Sequence, residues 1–373
     1  MAGIYIHIPF CKKKCSYCDF YSIANKSYMN DYIDALCREI DLRKQDFKSA
    51  IIETIYFGGG TPSLLSKDQI ENILKKLYDN FNIIKDPEIT FEANPDDLNK
   101  AYLKDLFSLK INRLSIGIQS LNAGILNLMN RRHSPEIAIK SVINAGETGF
   151  DNINIDLIYG IDGLSTKEWE KTLIKTLSLN VTHLSAYHLG IEKGTLLHRR
   201  LKEDSFRPID ETESLDQYLS LIRTTEKLGL FQYEISNFAK DGKISKHNSS
   251  YWNRTEYIGL GPSAHSFYKD KRIWNINDVK TYISGIGTNN NINESEMLSV
   301  EDKLNELIML SLRTVRGLNL EEVKYEFGKR ECQNIKTKLI SINPDFYILK
   351  NDNLILTPKG MFVSDKIIGD LFI

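Results

Sequence analysis

Through the first half of the chain the hydrophobic positions switch between two periods. Short apolar, β-branched runs read IYIHI (4–8), TIYF (54–57), EITFEA (88–93), RLSIGI (113–118), INIDLIY (153–159) and HLSAYHL (183–189). Between them MNDYIDALCREIDL, KDQIENILKKLYDNF, KAYLKDLFSLK, PEIAIKSVINAGETG and TKEWEKTLIKTLSL repeat apolar residues at the spacing of one helix face. Strands separated by one helix each run parallel, because the crossover returns the chain to the same edge of the sheet. Six βα units follow, an α/β fold that suits either a doubly wound open sheet or a barrel, complete or partial. Both architectures place ligands at the carboxyl ends of the strands. There the sequence puts a cysteine-rich loop, GGGTP (58–62), Glu92 with Asn94, Gln119, Asp156 and His188.

Beyond the sixth unit the pattern loosens. LDQYLSLIRTTEKLG (215–229) reads as a helix, FQYEISNF (231–238) as a strand, DGKISKHNSSYWNRTEY (241–257) as a polar loop and GIGTNNNINESE (285–296) as a linker. Residues 299–373 give helices and then a hairpin, FYILKNDNLILT, with Asn351 to Asn353 at its tip. That order resembles a small winged-helix module. Residues 301–373 hold 11 acidic and 11 basic side chains, so the module lacks the positive excess a phosphate backbone demands and no nucleic-acid partner is expected.

Composition changes this picture in two ways. The 373 residues, 42% hydrophobic and 26% charged, exceed the roughly 250–300 at which one core stops growing, so a main domain with appendages is expected. The expected division is 1–230, 231–290 and 291–373. No run has the length of a membrane span, and MAGIYIHIP lacks the regions of an export signal, so the protein is expected in the cytoplasm. Thiols there stay reduced, and a tight cysteine group points to a metal or to catalysis.

Such a group is HIPFCKKKCSYCDF (7–20), with thiols at Cys11, Cys15 and Cys18. Three ligands fit an iron-sulfur cluster with one iron left open. They also fit a Cys3His zinc site completed by His7, and uncoordinated thiols are a third possibility. Spacing alone does not choose. Cys37 and Cys332 are isolated and read as small buried hydrophobes.

CxxxCxYC directly after a first strand, in a chain of six βα units, resembles the signature of the radical S-adenosylmethionine (SAM) superfamily. The resemblance implies a partial (βα)6, TIM-like barrel carrying the C-terminal α+β winged-helix-like module. It implies a 4Fe-4S cluster on Cys11, Cys15 and Cys18, its fourth iron chelated by the amino and carboxylate groups of SAM. Reduction of that cluster splits SAM into methionine and a 5'-deoxyadenosyl radical, chemistry that the cofactor carries. By the same resemblance Gly59, Gly60, Thr61, Glu92, Gln119, Arg131 and Asp156 take SAM-binding positions, together with Tyr5 and Tyr17. Gly190 follows by alignment, in a loop whose sequence departs from the pattern. Taken singly, each has an ordinary role open to it: a turn, a helix cap or a surface ion pair.

HIPFCxxxCxYCDF, GGGTPSLL, EANP, GIQS, INIDLIYG, YEISNFA and HNSSYW together resemble one branch of that superfamily, which holds the oxygen-independent coproporphyrinogen III oxidases and the related heme chaperones. The oxidases carry a further cysteine where this chain has Phe20, and an extension before the first strand. The chaperones carry HNxxYW, present as His247, Asn248, Tyr251 and Trp252. Neutral imidazole is a common axial ligand of heme iron, and Tyr and Trp rings can cover a porphyrin. The resemblance therefore implies heme bound through His247 with Tyr251 and Trp252, and delivery to heme-accepting proteins, membrane-associated respiratory proteins among them. A homodimer is compatible with it. His265 and His188 are rival porphyrin contacts. The alternative function is the oxidase, which converts two propionates of coproporphyrinogen III to vinyl groups. More remote is a zinc-binding regulatory protein.

Overall fold

The computed structural model of the chain describes residues 2–47, 50–288 and 292–373. Its first half runs β1 (Ala2–Ile8), α1 (Met29–Arg43), β2 (Ile51–Gly59), α2 (Lys67–Asn80), β3 (Asn82–Ala93), α3 (Lys100–Ser108), β4 (Arg113–Gln119), α4 (Ala123–Leu128), α5 (Pro135–Thr148), β5 (Ile153–Tyr159), α6 (Thr166–Leu177) and β6 (His183–His188). Strands β1 to β6 are parallel and lie side by side in sequence order. A doubly wound sheet reverses its winding once; this one does not, so it has the order of a barrel wall. The wall stays open, because the outer edges of β1 and β6 are taken by later strands.

Alternation along the strands explains the placement of the core. Ile4, Ile6, Ile55, Phe57, Phe91, Leu114, Ile116 and Ile155 are fully buried or nearly so, on the face that the helices cover. The opposite face carries Tyr5 level with Tyr56, Glu92 level with Ser115, and Asp156 level with Ser185, each pair set by the strand register. A side-chain period of two thus yields one apolar face for the fold and one polar face for chemistry. The covering helices begin where capping signals stand. Ser66 and Ser165 form capping boxes with Gln69 and Glu168, and Ser134 precedes a proline at the first helical position of α5.

The chain continues through α7 (Leu196–Lys202), α8 (Glu211–Lys227), β7 (Phe231–Glu234), β8 (Asn237–Ala239), α9 (Lys246–Trp252), β9 (Tyr257–Leu260), β10 (His265–Tyr268), β11 (Lys271–Asn275), α10 (Val279–Gly285) and β12 (Asn293–Met297). Three expectations change here. FQYEISNF is a hairpin, β7 and β8, whose inner strand pairs antiparallel with β6. The polar segment 241–257 contains helix α9, started by Ser245 accepting from the Asn248 amide and by the Glu88 carboxylate accepting from the Lys246 and His247 amides. That second anchor comes from β3 and is invisible to local sequence. Within 285–296, β12 pairs with β11 through its backbone although its side chains are mostly exposed; residues 289–291 lie outside the described residues. The whole sheet has 12 strands in the order β12-β11-β10-β9-β1-β2-β3-β4-β5-β6-β8-β7, so residues 231–297 extend the core sheet at both edges.

The C-terminal part comprises α11 (Val300–Leu312), β13 (Leu318–Asn319), α12 (Leu320–Phe327), α13 (Lys329–Leu339), β14 (Tyr347–Lys350), β15 (Asn353–Leu356), α14 (Pro358–Phe362) and α15 (Ser364–Leu371). Helices followed by a hairpin in a three-stranded sheet, β13-β15-β14, make the winged-helix-like arrangement. Asn351 and Asp352 turn the hairpin with φ of 50° and 57°, the left-handed pair a two-residue turn requires. Among the described residues no helix is long and apolar enough to cross a membrane.

Candidate functional site: two cavities at the strand ends

The cysteine loop is built by its neighbours. The Cys11 amide donates to the Ile23 carbonyl (3.0 Å) and the Ser16 amide to that of Met129 (3.1 Å), while Leu197 at the start of α7 donates to the Ser16 carbonyl (2.7 Å). Asn130 holds the Lys14 carbonyl at 2.8 Å. An ion pair from Lys12 ties the loop to the buried carboxylate of Asp97. All three cysteines line one cavity of about 360 Å3 at the carboxyl ends of the strands.

Two of the thiols already have donors aimed at them. Thr61 Oγ1 lies 3.3 Å from Cys11 Sγ, and Arg131 Nη1 lies 3.2 Å from Cys15 Sγ. Hydrogen bonds to coordinated sulfur are a lever on cluster potential. Burial pushes the Cys18 thiol up to about 11, with the Cys15 and Cys11 thiols adding to the rise, so this sulfur is protonated at neutral pH until a metal takes the proton's place. The zinc alternative fits poorly. The His7 ring is engaged on both sides, by Tyr5 Oη at 3.2 Å and the Tyr21 carbonyl at 2.9 Å. Among the described residues no three His, Cys, Asp or Glu side chains converge as around a single metal ion. The three thiols share one cavity, and Cys18 feels the charge of both Cys15 and Cys11, an arrangement compatible with three ligands to one cluster.

Gly59, Gly60, Thr61, Glu92, Gln119, Arg131, Asp156, Gly190 and Tyr17 line the same cavity. A side chain on Gly60 would stand 2.7 Å from the carbonyl oxygens of Ile8 and Phe10, and Gly59 has φ +99° with the His7 ring 2.6 Å from where a Cβ would stand. Only glycine lets this strand end pack against the cysteine loop. Glu92 receives the Tyr56 hydroxyl at 2.7 Å, yet burial lifts its carboxyl to about 7. Asp156 is also raised by burial, against hydrogen bonds from Asn154, Ser185 and Ser115. Arg131 reaches Asn94 and the Gly117 carbonyl, each at 2.7 Å, and its buried Nε has no partner. Gln119 has φ +67°, a strained conformation for a side chain with a Cβ. Two carboxylates that burial raises and no salt bridge pairs among the described residues, an arginine with an orphan N–H and glycine backbone at the strand end fit a ligand bearing both an ammonium and a carboxylate, as SAM does.

Part of this wall was not evident from the sequence. Arg113, Ser115 and Gly117 line the cavity from alternate positions of β4 that lead to the expected Gln119, and Tyr56, Asn154, Ser185 and Tyr187 do so from β2, β5 and β6. Arg113 is 1% exposed, with Nε and Nη2 unpartnered. The available signal was polar residues two apart within otherwise apolar strands.

Tyr5 falls elsewhere. It stacks behind Tyr56, with ring centroids 6.0 Å apart, and faces a second cavity of about 590 Å3. That cavity lies between the β1 edge, α9, strands β9 to β11 and α11, and its walls include Tyr251, Trp252, His265, Phe267 and Arg272. The motif HNSSYW straddles the two spaces, with Asn248 in the first and Tyr251 and Trp252 in the second. His247 sits in the partition, 1% exposed, stacked on Tyr56 at 5.0 Å. Thr54 Oγ1 is 2.7 Å from its Nδ1 and Tyr251 Oη 2.9 Å from its Nε2. In either tautomer one nitrogen donates and the other accepts, so no lone pair is left for a metal in this arrangement. His188 binds Ser214 at 2.7 Å in the wall of the first cavity.

Comparisons with known proteins follow the same lines. Residues 5–175 match the radical SAM superfamily and residues 298–363 the HemN C-terminal domain. The chain is 32% identical to the heme chaperone HemW of Bacillus subtilis, over 99% of this chain and 98% of that one. It is 35% identical to HemW of Lactococcus lactis, over 97% and 95%. The solved structure of coproporphyrinogen III oxidase (HemN) from Escherichia coli, a radical SAM enzyme, superposes with a TM-score of 0.86 at 24% identity, over 100% of this chain and 90% of that one. That likeness establishes the fold. With identity of this extent over its full length, the chain belongs to the HemW heme-chaperone family of the radical SAM superfamily.

Proposed function

We propose that the protein is a cytoplasmic heme chaperone, which takes up heme in the second cavity and passes it to proteins that require heme. The observation that supports this most is the cavity of about 590 Å3, of a size that suits a cofactor. Tyr251 and Trp252 of the chaperone motif line it. In this reading Cys11, Cys15 and Cys18 hold a 4Fe-4S cluster, which can supply one-electron chemistry when bound. Gly59, Gly60, Thr61, Glu92, Gln119, Arg131, Asp156 and Gly190 seat SAM beside it. Their part is binding and orientation: Arg131 fixes the Cys15 side, and the paired carboxylates take the cationic end of the ligand.

Anaerobic reconstitution followed by hemin titration, with and without SAM, tests this. A shifted heme spectrum with saturable binding, and transfer of the bound heme to apomyoglobin, are expected. No binding would overturn the proposal. So would conversion of coproporphyrinogen III to protoporphyrinogen in the presence of SAM and reductant.

A further inference from the structure

Resting on the heme-chaperone reading, we propose that His265 in the second cavity, and not His247 of the HNSSYW motif, is the axial ligand of the heme iron. His247 is closed to a metal: both ring nitrogens are hydrogen-bonded and the ring is stacked within the partition. Two histidines line the second cavity, His7 and His265. His7 is held by Tyr5 and the Tyr21 carbonyl. No hydrogen bond to another described residue holds either ring nitrogen of His265. Its ring is oriented nevertheless, lying near-parallel to Trp274 at 6.3 Å across the β10–β11 pair. Burial, reinforced by the Arg272 guanidinium, holds the imidazole below its ordinary pKa and therefore neutral, the form that ligates iron.

The surroundings suit a flat apolar macrocycle with carboxylate arms. Tyr251, Trp252 and Phe267 supply ring area; Arg254 and Arg272 stand in the same wall, each already paired with glutamates of the C-terminal part, so a carboxylate arm would meet guanidinium groups whose charge is shared. His247 then acts as a positioning residue, orienting Tyr251 against the cavity from behind.

Hemin titration of His265→Ala, His247→Gln and the parent chain separates the roles. His265→Ala should lose the absorption signature of imidazole-ligated heme and weaken binding at least tenfold, and added free imidazole should restore the signature. His265→Met should shift the spectrum to that of a thioether ligand. His247→Gln should keep the imidazole signature. An unchanged spectrum in His265→Ala, or loss of ligation in a folded His247→Gln with retention in His265→Ala, overturns the assignment. Failure of the parent chain to bind hemin would overturn the chaperone reading itself, and this assignment with it.

Discussion

Gln119 and His247 show how single residues trade stability against function. Gln119 holds φ +67° at the end of β4, where a residue with a Cβ gives up about 1 kcal/mol that glycine would keep. Gln119→Gly is therefore expected to unfold at an equal or higher urea concentration while its affinity for SAM falls, as calorimetric titration would show; lower stability with unchanged affinity would make the side chain structural. His247 is held down to about 3 from 6.5 by burial, with Arg113 adding. The unfolded chain takes a proton near 6.5 that the fold refuses, so the stabilisation is complete above that pH and is lost as pH falls toward 3. At pH 5 the loss is about 2 kcal/mol. Urea titrations at pH 7 and 5 should show His247→Gln losing less stability between them than the parent, by about that amount.

Secondary elements that carry the site are joined by buried polar links. The Glu39 carboxylate of α1 accepts from the Gly261 amide (2.8 Å), the Asn275 side chain (2.7 Å) and the Tyr282 hydroxyl (2.6 Å). It thereby fixes α1 to the β9–β11 meander and α10. Glu39→Ala leaves three buried donors without an acceptor and is expected to cost about 3–5 kcal/mol in chemical denaturation. The C-terminal part is docked by ion pairs, Arg254 with Glu322 and Glu326 and Arg272 with Glu306. These are partly exposed, so breaking either one should cost only about 1 kcal/mol. At this scale the sequence was legible for β1 to β6 and the helices between them, whose periods are local. It was not legible for α9, which Glu88 anchors from 159 residues away along the chain, or for β12, a polar segment made a strand by its partner's backbone.

At the scale of the whole molecule the two cavities adjoin, and Phe20 lines both. It follows the cysteine loop and is 64% exposed, so whatever orders that loop also sets one wall of the second cavity. Loading of the cluster is expected to tighten hemin binding, and Phe20→Ala to weaken it about tenfold. Iron content in Phe20→Ala should stay near the roughly four atoms per chain of a full cluster. Parallel titrations of reconstituted and iron-free protein check the coupling; equal affinities would show the two sites to be independent.

By itself the sequence determined the six alternating units, the thiol spacing at Cys11, Cys15 and Cys18, the glycines at the end of β2 and the family to which they belong. Each of these is written in neighbouring residues, as a period, a spacing or a turn. Only the tertiary structure decided that Tyr5 stands behind Tyr56, that Arg113 is buried with free N–H groups, and that His247 lies inside a partition while His265 faces a cavity. The physical reason is that a side chain's usefulness depends on which of its polar atoms remain unpaired after folding, and those partners come from strands far apart in the chain.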